Sequence, residues 1–161
     1  TIEDTAELQL QQTHVGRMES RPPNVEGKGE VSQRDCLKNA LRMRPDRIIV
    51  GEVRGGEALT LIKSWNTGHP GGLATVHANS AIAALTRLEQ LMAEATSANM
   101  KILIGEAVDI VVFMERTNSG RKIREMIEVS GVKDGEYIIT EINEKPTQED
   151  SNVKIIHQKA G

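Results

Sequence analysis

The sequence RIIVGEVRG, residues 47–55, joins a short apolar run to a glycine and an acid. Ile48, Ile49 and Val50 fit a strand that is buried on both faces of a mainly parallel sheet. Glu52 then follows at the carboxyl end of this strand, where open α/β sheets bind their ligands. An acid at this position can hold a metal ion through water or polarise an attacking water molecule. On this stretch alone, an acid that caps the following helix is an equal alternative.

Two further stretches frame this strand. TIEDTAELQ (residues 1–9) combines a strand end with acids, and GGLATVHANSA (residues 71–81) combines a short apolar run with a histidine. LRMRPD (residues 41–46) leads into the Glu52 strand. Taken in chain order, residues 1–9, residues 41–46 with the Glu52 strand, and residues 71–81 resemble the Asp box, Walker B and His box of the secretion ATPase superfamily, the motors of type II and type IV secretion. The resemblance is above all to its conjugal-transfer members. The resemblance covers about residues 1–116.

The resemblance implies an α/β fold with a partial RecA-like P-loop NTPase core and a mainly parallel sheet. It implies ATP and Mg²⁺ as cofactors and a homo-oligomeric ring, a hexamer, that serves secretion or conjugation proteins of the bacterial inner membrane from the cytoplasm. The chain nowhere contains G-x-x-x-x-G-K-[ST], the loop that grips the β- and γ-phosphates. We therefore expect the C-terminal part of a longer ATPase, inactive by itself.

Three acids are candidates for the chemistry. Glu52 is the leading water-activating residue, and Glu3 is the second catalytic acid. Glu52 and Asp4 are expected to hold Mg²⁺ indirectly. The alternative for Glu3 and Asp4 is a pair of solvated acids near the start of the chain.

Four basic residues complete the predicted site. The resemblance implies that His77 senses the γ-phosphate state and passes it to the next subunit. Asn79 and Ser80 are expected to cap a helix directly behind His77, and such a corner suits an anion. Phosphate-binding or trans-acting groups are predicted at Arg42, Arg44 and Arg54. For Arg42 and Arg44, a favourable charge at a helix C-terminus is an equal alternative.

Apolar periodicity predicts alternating strands and helices. Strands are expected at residues 14–20, 48–50, 73–76 and 110–114. Helices are expected at residues 32–42, 80–95 and 100–108, and a further helix opens at residues 55–57 and ends at Gly68. This alternation favours right-handed crossovers and a parallel sheet, with the last two strands buried in it. The resemblance further implies that the missing Walker A strand lies beside the Glu52 strand, so that one edge of that strand is open.

The pattern changes from Arg121 onward. Alternating apolar residues flank Asp134-Gly135, which predicts an antiparallel hairpin beside the strand at residues 110–114. The predicted division is an ATPase core at residues 1–116, a hairpin appendage at 117–145 and a polar, mobile tail at 146–161.

Composition limits the partners. The net charge of -3 gives no general electrostatic attraction to nucleic acid. The only aromatic residues are Trp65, Phe113 and Tyr137, so base stacking on single-stranded nucleic acid is disfavoured. We expect no direct, specific nucleic-acid binding, although a local basic patch is possible. The single cysteine, Cys36, lies in an apolar helical pattern and is expected to be a buried structural thiol. The rival function is a non-catalytic folding and oligomerisation module whose ATPase motifs are vestigial.

Overall fold

The computed structural model describes residues 1–142 and 154–155. They form two compact units, one of residues 1–76 with 91–97, the other of residues 77–90 with the described residues from 98 onward. The elements, in chain order, are β1 (Ile2–Glu3), β2 (Met18–Glu19), α1 (Gln33–Ala40), a 3₁₀ turn (Leu41–Met43), β3 (Ile49–Val50), α2 (Glu57–Asn66), β4 (Leu73–Ala74), α3 (Ala81–Ala93), α4 (Lys101–Ala107), β5 (Ile110–Thr117), β6 (Gly120–Lys133), β7 (Glu136–Glu141) and β8 (Lys154–Ile155).

The first unit contains a parallel sheet of four strands in the order β2-β1-β3-β4. Ile2 pairs with Met18 on one side and with Val50 on the other. Helix α1 packs against β1, β2 and α2. The core of this unit comes from the central strands and the two helices, and its almost completely buried side chains include Ile2, Val50, Leu37, Leu61 and Ile62. The predicted α/β class with a parallel sheet is therefore confirmed.

Local sequence signals begin both helices of this unit. At α1, the Ser32 side chain accepts the Asp35 N–H while the Asp35 carboxylate accepts the Ser32 N–H, which is the capping box. At α2, Glu57 Oε1 accepts the N–H groups of Arg54 and Gly55 at 2.7 and 2.8 Å. These bonds satisfy backbone donors that no helical carbonyl can reach.

The edge of the parallel sheet differs from the prediction. β3 lies between β1 and β4, so the expectation of an open edge beside the Glu52 strand is wrong. The edge strands among the described residues are β2 and β4, and on β4 Leu73 is 66% exposed although a buried strand was predicted there. An apolar run does not tell a central strand from an edge strand. The strand predicted at residues 14–20 is limited to Met18–Glu19.

The second unit contains an antiparallel sheet in the order β5-β6-β7-β8. Asp134 and Gly135 join β6 to β7, and their positive φ angles of 53° and 81° give the two-residue turn that the sequence predicted. The strand at residues 110–114 lies beside this hairpin as expected, but its placement in the parallel sheet is wrong. It is the start of β5, it pairs antiparallel with β6, and Ile110 is 55% exposed.

The predicted boundary at residue 116 stays a prediction, and β5 and β6 pair directly across it. Most of the predicted mobile tail, residues 146–161, lies outside the described residues. Within the tail, Lys154–Ile155 pairs antiparallel with β7. No helix in the described part of the chain is long and apolar enough to cross a membrane.

Candidate functional site

Polar residues of the first unit gather where its parallel strands end. Asp4 follows β1, Ser20 follows β2, Glu52 follows β3 and Thr75 follows β4. Because the strands are parallel, all four residues lie at the carboxyl edge of one sheet. This is the edge at which α/β sheets bind ligands.

Glu3 is buried beneath this edge, with 4% of its surface exposed. Its Oε1 accepts the backbone N–H groups of Glu7 and Leu8, each at 3.0 Å. Burial alone would raise the pKa of the Glu3 carboxyl, but these two N–H groups, together with the Thr1 side chain and the positive N-terminus, outweigh it and the pKa is lowered. Glu3 therefore organises the loop after β1.

Gly51 leaves room for the Glu3 side chain. A Cβ atom at residue 51 would lie 3.0 Å from Glu3 Cγ, closer than ordinary packing allows. The Gly51 N–H donates to the Ile2 carbonyl at 2.9 Å, which fixes the end of β3 against β1. The glycine that precedes Glu52 is thus required by the packing of the other predicted catalytic acid.

Arg54 connects two of the predicted site acids. Its Nη2 lies 2.6 Å from Glu52 Oε2, and its Nη1 lies 3.4 Å from Asp4 Oδ2. The bond to Glu52 raises the pKa of the Arg54 guanidinium. Ser20 and Gln33 donate to Asp4 Oδ1 at 2.6 and 2.9 Å, and these bonds, with Arg54, lower the pKa of Asp4.

Asp4 and Glu52 were predicted to hold Mg²⁺ indirectly. Among the described residues, no group of three or more His, Cys, Asp or Glu side chains could hold a metal ion. Both predicted carboxylates contact the Arg54 guanidinium. Mg²⁺ usually keeps several of its waters and is bound through one or two carboxylates, and indirect holding by Asp4 and Glu52 stays a prediction.

Thr75 holds the end of β3 from the other side. Its Oγ1 donates to the Gly51 carbonyl at 2.5 Å, and its own carbonyl accepts the Val53 N–H at 2.9 Å. Sequence reasoning assigned no role to Thr75, nor to Ser20 and Gln33. The sequence signals that could have identified these residues were a hydroxyl residue after each of two strands, Ser20 and Thr75, and an amide in the first turn of α1, Gln33.

His77 lies in the second unit and is exposed. The helix behind it is confirmed: Ser80 Oγ accepts the Ala83 N–H at 3.0 Å. The Ala81 N–H at the start of α3 donates to Glu125 Oε2 at 2.8 Å. The corner that was expected to suit an anion therefore already contains a carboxylate of the same chain. Sequence reasoning missed Glu125 because it is distant in the chain.

Arg42 and Arg44 are not brought to the carboxyl edge. Arg42 lies in the 3₁₀ turn after α1. Arg44 follows the last residue of that turn and has a φ angle of 53°. The other end of α1 lies beside Asp4, which Gln33 contacts. Both arginines are exposed. Of the three predicted arginines, the structure brings only Arg54 to Glu52.

Comparison with known proteins finds a family and individual relatives that agree with each other. Residues 1–144 match the family described as "Type II/IV secretion system protein". The chain is 48% identical over 136 residues to "Conjugal transfer protein TrbB" of Rhizobium radiobacter, an alignment that covers 84% of this chain and 40% of that protein. It is 36% identical to "Type IV secretion system protein VirB11" of Bartonella quintana, with 78% of this chain and 37% of that protein covered.

A solved structure has the same fold. The chain superimposes on the crystal structure of the VirB11 ATPase from the Brucella suis type IV secretion system, in complex with sulphate, with a TM-score of 0.64 and 30% identity. The superposition covers 79% of this chain and 38% of that one. The chain thus spans about 40% of the length of the curated relatives it matches.

Proposed function

Because the chain belongs to the type II/IV secretion system protein family, we propose that it is the C-terminal part of a ring-forming ATPase. The ATPase couples ATP hydrolysis to conjugative DNA transfer, type IV secretion or pilus assembly. The relatives named for conjugal transfer and type IV secretion support this function. The whole protein's activity is a proposal because the chain covers about 40% of those relatives.

The observation that carries the proposal is the contact of Arg54 with both Glu52 and Asp4 at the carboxyl edge of the parallel sheet. Glu52, whose side chain is 20% exposed, orients the attacking water and accepts its proton. Arg54 holds the Glu52 carboxylate in place. Glu3, which is buried, supports the loop from below. Mg²⁺, when bound, neutralises the charge that develops on the γ-phosphate.

The other predicted residues complete the proposed motor. His77 senses the γ-phosphate state, and Arg42 and Arg44 act on the nucleotide of a neighbouring subunit. Both arginines lie beyond the C-terminal end of α1, whereas its N-terminal end contacts Asp4. This separation supports a role at the site of a neighbouring subunit. The ring is a hexamer at the cytoplasmic face of the bacterial inner membrane. It contacts secretion or conjugation proteins, and we expect no direct, specific binding of nucleic acid.

The test is ATP hydrolysis by the longer protein that joins this segment to a G-x-x-x-x-G-K-[ST] loop. We expect turnover that requires Mg²⁺ and that is lost when the lysine of this loop is replaced by alanine. The rival is a non-catalytic oligomerisation module. A longer protein that assembles into a ring, binds ATP and shows no hydrolysis above that of the lysine variant would establish the rival.

A further inference from the structure

Two hydrogen bonds attach helix α3 to the antiparallel sheet. At the first residue of the helix, the Ala81 N–H donates to Glu125 Oε2 of β6 at 2.8 Å. Eight residues further along, Glu89 Oε1 accepts the Tyr137 hydroxyl of β7 at 2.9 Å. The two points are roughly 12 Å apart along the helix axis. Two such points fix the position of a helix along its axis as well as its direction.

The contact at Ala81 replaces a bond that the helix itself cannot supply. The first N–H groups of a helix have no carbonyl partner within it. Ala81 is completely buried, so Glu125 and not water accepts its N–H in the structure. A carboxylate at this position also complements the positive end of the helix dipole.

The contact at Glu89 comes from a tyrosine that is itself held firmly. Tyr137 is 7% exposed, and Lys101 Nζ lies 5.4 Å from the centroid of its ring. Lys101 is fixed in turn by the Gly135 carbonyl at 2.9 Å and by Glu136 at 3.7 Å. The residues of the β6–β7 turn therefore determine where the phenol meets α3.

We propose that the antiparallel sheet positions His77, with Glu125 and Tyr137 as the positioning residues. The inference rests on the sensor role of His77 in the proposed function. Only residues 78–80 separate His77 from the first residue of α3, so the end of the helix limits where the imidazole can go. Glu125 fixes that end directly, and Tyr137 prevents the helix from sliding. Residues 117–145 thereby belong to the sensing machinery.

The first experiment uses the 161-residue chain. In Glu125→Ala, we expect the Ala81 amide to exchange with solvent about tenfold faster, the effect of losing one N-terminal cap. We also expect the imidazole resonances of His77 to shift in heteronuclear NMR spectra. Glu125→Gln keeps an acceptor oxygen and should restore both signals. Glu128→Ala, an exposed acid on the same strand, is the matched control and should change neither.

A second variant keeps the proposal testable if Glu125→Ala does not fold. Tyr137→Phe removes only the hydroxyl, and it should shift the His77 resonances while the chain keeps its dispersed spectrum. His77 resonances that stay unchanged in both folded variants overturn the proposal.

In the longer protein, we expect Glu125→Ala to lower kcat about tenfold at unchanged KM for ATP. Rescue by Glu125→Gln supports positioning, whereas equal loss in both variants contradicts it. If the unmodified longer protein does not hydrolyse ATP, the proposed function fails, and the exchange and NMR results still decide whether Glu125 and Tyr137 position His77.

Discussion

Glu3 and Glu52 differ in how accessible their carboxylates are to water. Glu3 is buried, and one of its oxygens already accepts two backbone N–H groups. The Glu52 side chain is 20% exposed, and its partner, the Arg54 guanidinium, faces solvent. A residue that activates water must be reachable by water. We therefore assign the water-activating role to Glu52 and a supporting role to Glu3.

The environment of Glu3 predicts a pH dependence of stability. Its pKa is lowered in the folded state, so ionised Glu3 stabilises the fold above the pKa of an unfolded glutamate, about 4.3. This contribution is lost as the pH falls through the lower, folded pKa. In urea unfolding of the 161-residue chain between pH 7 and pH 3, Glu3→Gln should flatten the loss of stability below about pH 4.3. An unchanged pH profile would show that Glu3 contributes nothing to it. Glu128→Gln is the matched control.

His77 is expected to affect coupling more than affinity. A sensor of the γ-phosphate distinguishes ATP from ADP, so His77→Ala in the longer protein should lower turnover about a hundredfold. It should also weaken ATP-dependent ring formation, while ADP affinity stays nearly unchanged. Steady-state hydrolysis, ADP titration and sedimentation with each nucleotide measure the three effects. If ADP affinity collapses as well, His77 is a structural residue.

At the scale of elements, the turn between α2 and β4 depends on close approach of its backbone. A Cβ atom at residue 72 would collide with Trp65 Nε1, would lie 2.5 Å from Trp65 Cε2 and would lie 2.6 Å from the Ile48 carbonyl oxygen. The indole therefore packs directly on the backbone of Gly72. This packing joins the end of α2 to the start of β4.

Gly72→Ala should destabilise the 161-residue chain by about 1–3 kcal/mol, the usual cost of overpacking. Trp65 is the only tryptophan, so its fluorescence follows the change directly. Gly16→Ala is the matched control, because a Cβ there would meet only the end of Met43, at 3.9 Å. Equal stability of the Gly72→Ala and Gly16→Ala variants would contradict the role of this contact.

The sequence predicted those elements whose signals are local. Ser32 and Asp35 formed the expected capping box, and Asp134-Gly135 formed the expected turn. The strand before Glu52 was predicted correctly: its short apolar run lies in the centre of the parallel sheet. β4 lies in the predicted parallel sheet but is exposed, and β5 lies in the other sheet, because apolar residues at a sheet edge give the same pattern as buried ones. Partners distant in the chain, such as Arg54 with Asp4 and Ala81 with Glu125, have no local signal at all.

At the scale of the whole molecule, each unit has its own sheet and its own buried residues, and each sheet has an exposed edge strand. Among the described residues, the parallel sheet ends at β2 and β4, and the antiparallel sheet ends at β5 and β8. Exposed apolar residues lie on β4, at Leu73, and on β5, at Val112. Unpaired strand edges are templates for pairing with another chain.

We predict that the 161-residue chain binds no Mg-ATP and self-associates through β4. The phosphates have no glycine-rich loop to grip them, and the acids at the carboxyl edge repel a tetra-anion. Calorimetric titration should give no binding heat, and light scattering should rise with protein concentration. Leu73→Lys should reduce that rise, whereas Val112→Lys, on β5, is the matched control. Micromolar binding of ATP would reveal a phosphate site built from other residues.

The most direct test of the proposed chemistry is Glu52→Gln in the longer protein. The change preserves size and removes the carboxylate that would activate water, so the rate of hydrolysis should fall about a hundredfold or more. ATP affinity should change little, because the phosphate-gripping loop supplies most of the binding. Glu128→Gln, on the antiparallel sheet, controls for loss of an exposed acid. Steady-state hydrolysis measured beside nucleotide titration should show ATP that is bound but not hydrolysed, and a Glu52→Gln protein that turns over at the unmodified rate would contradict the assignment.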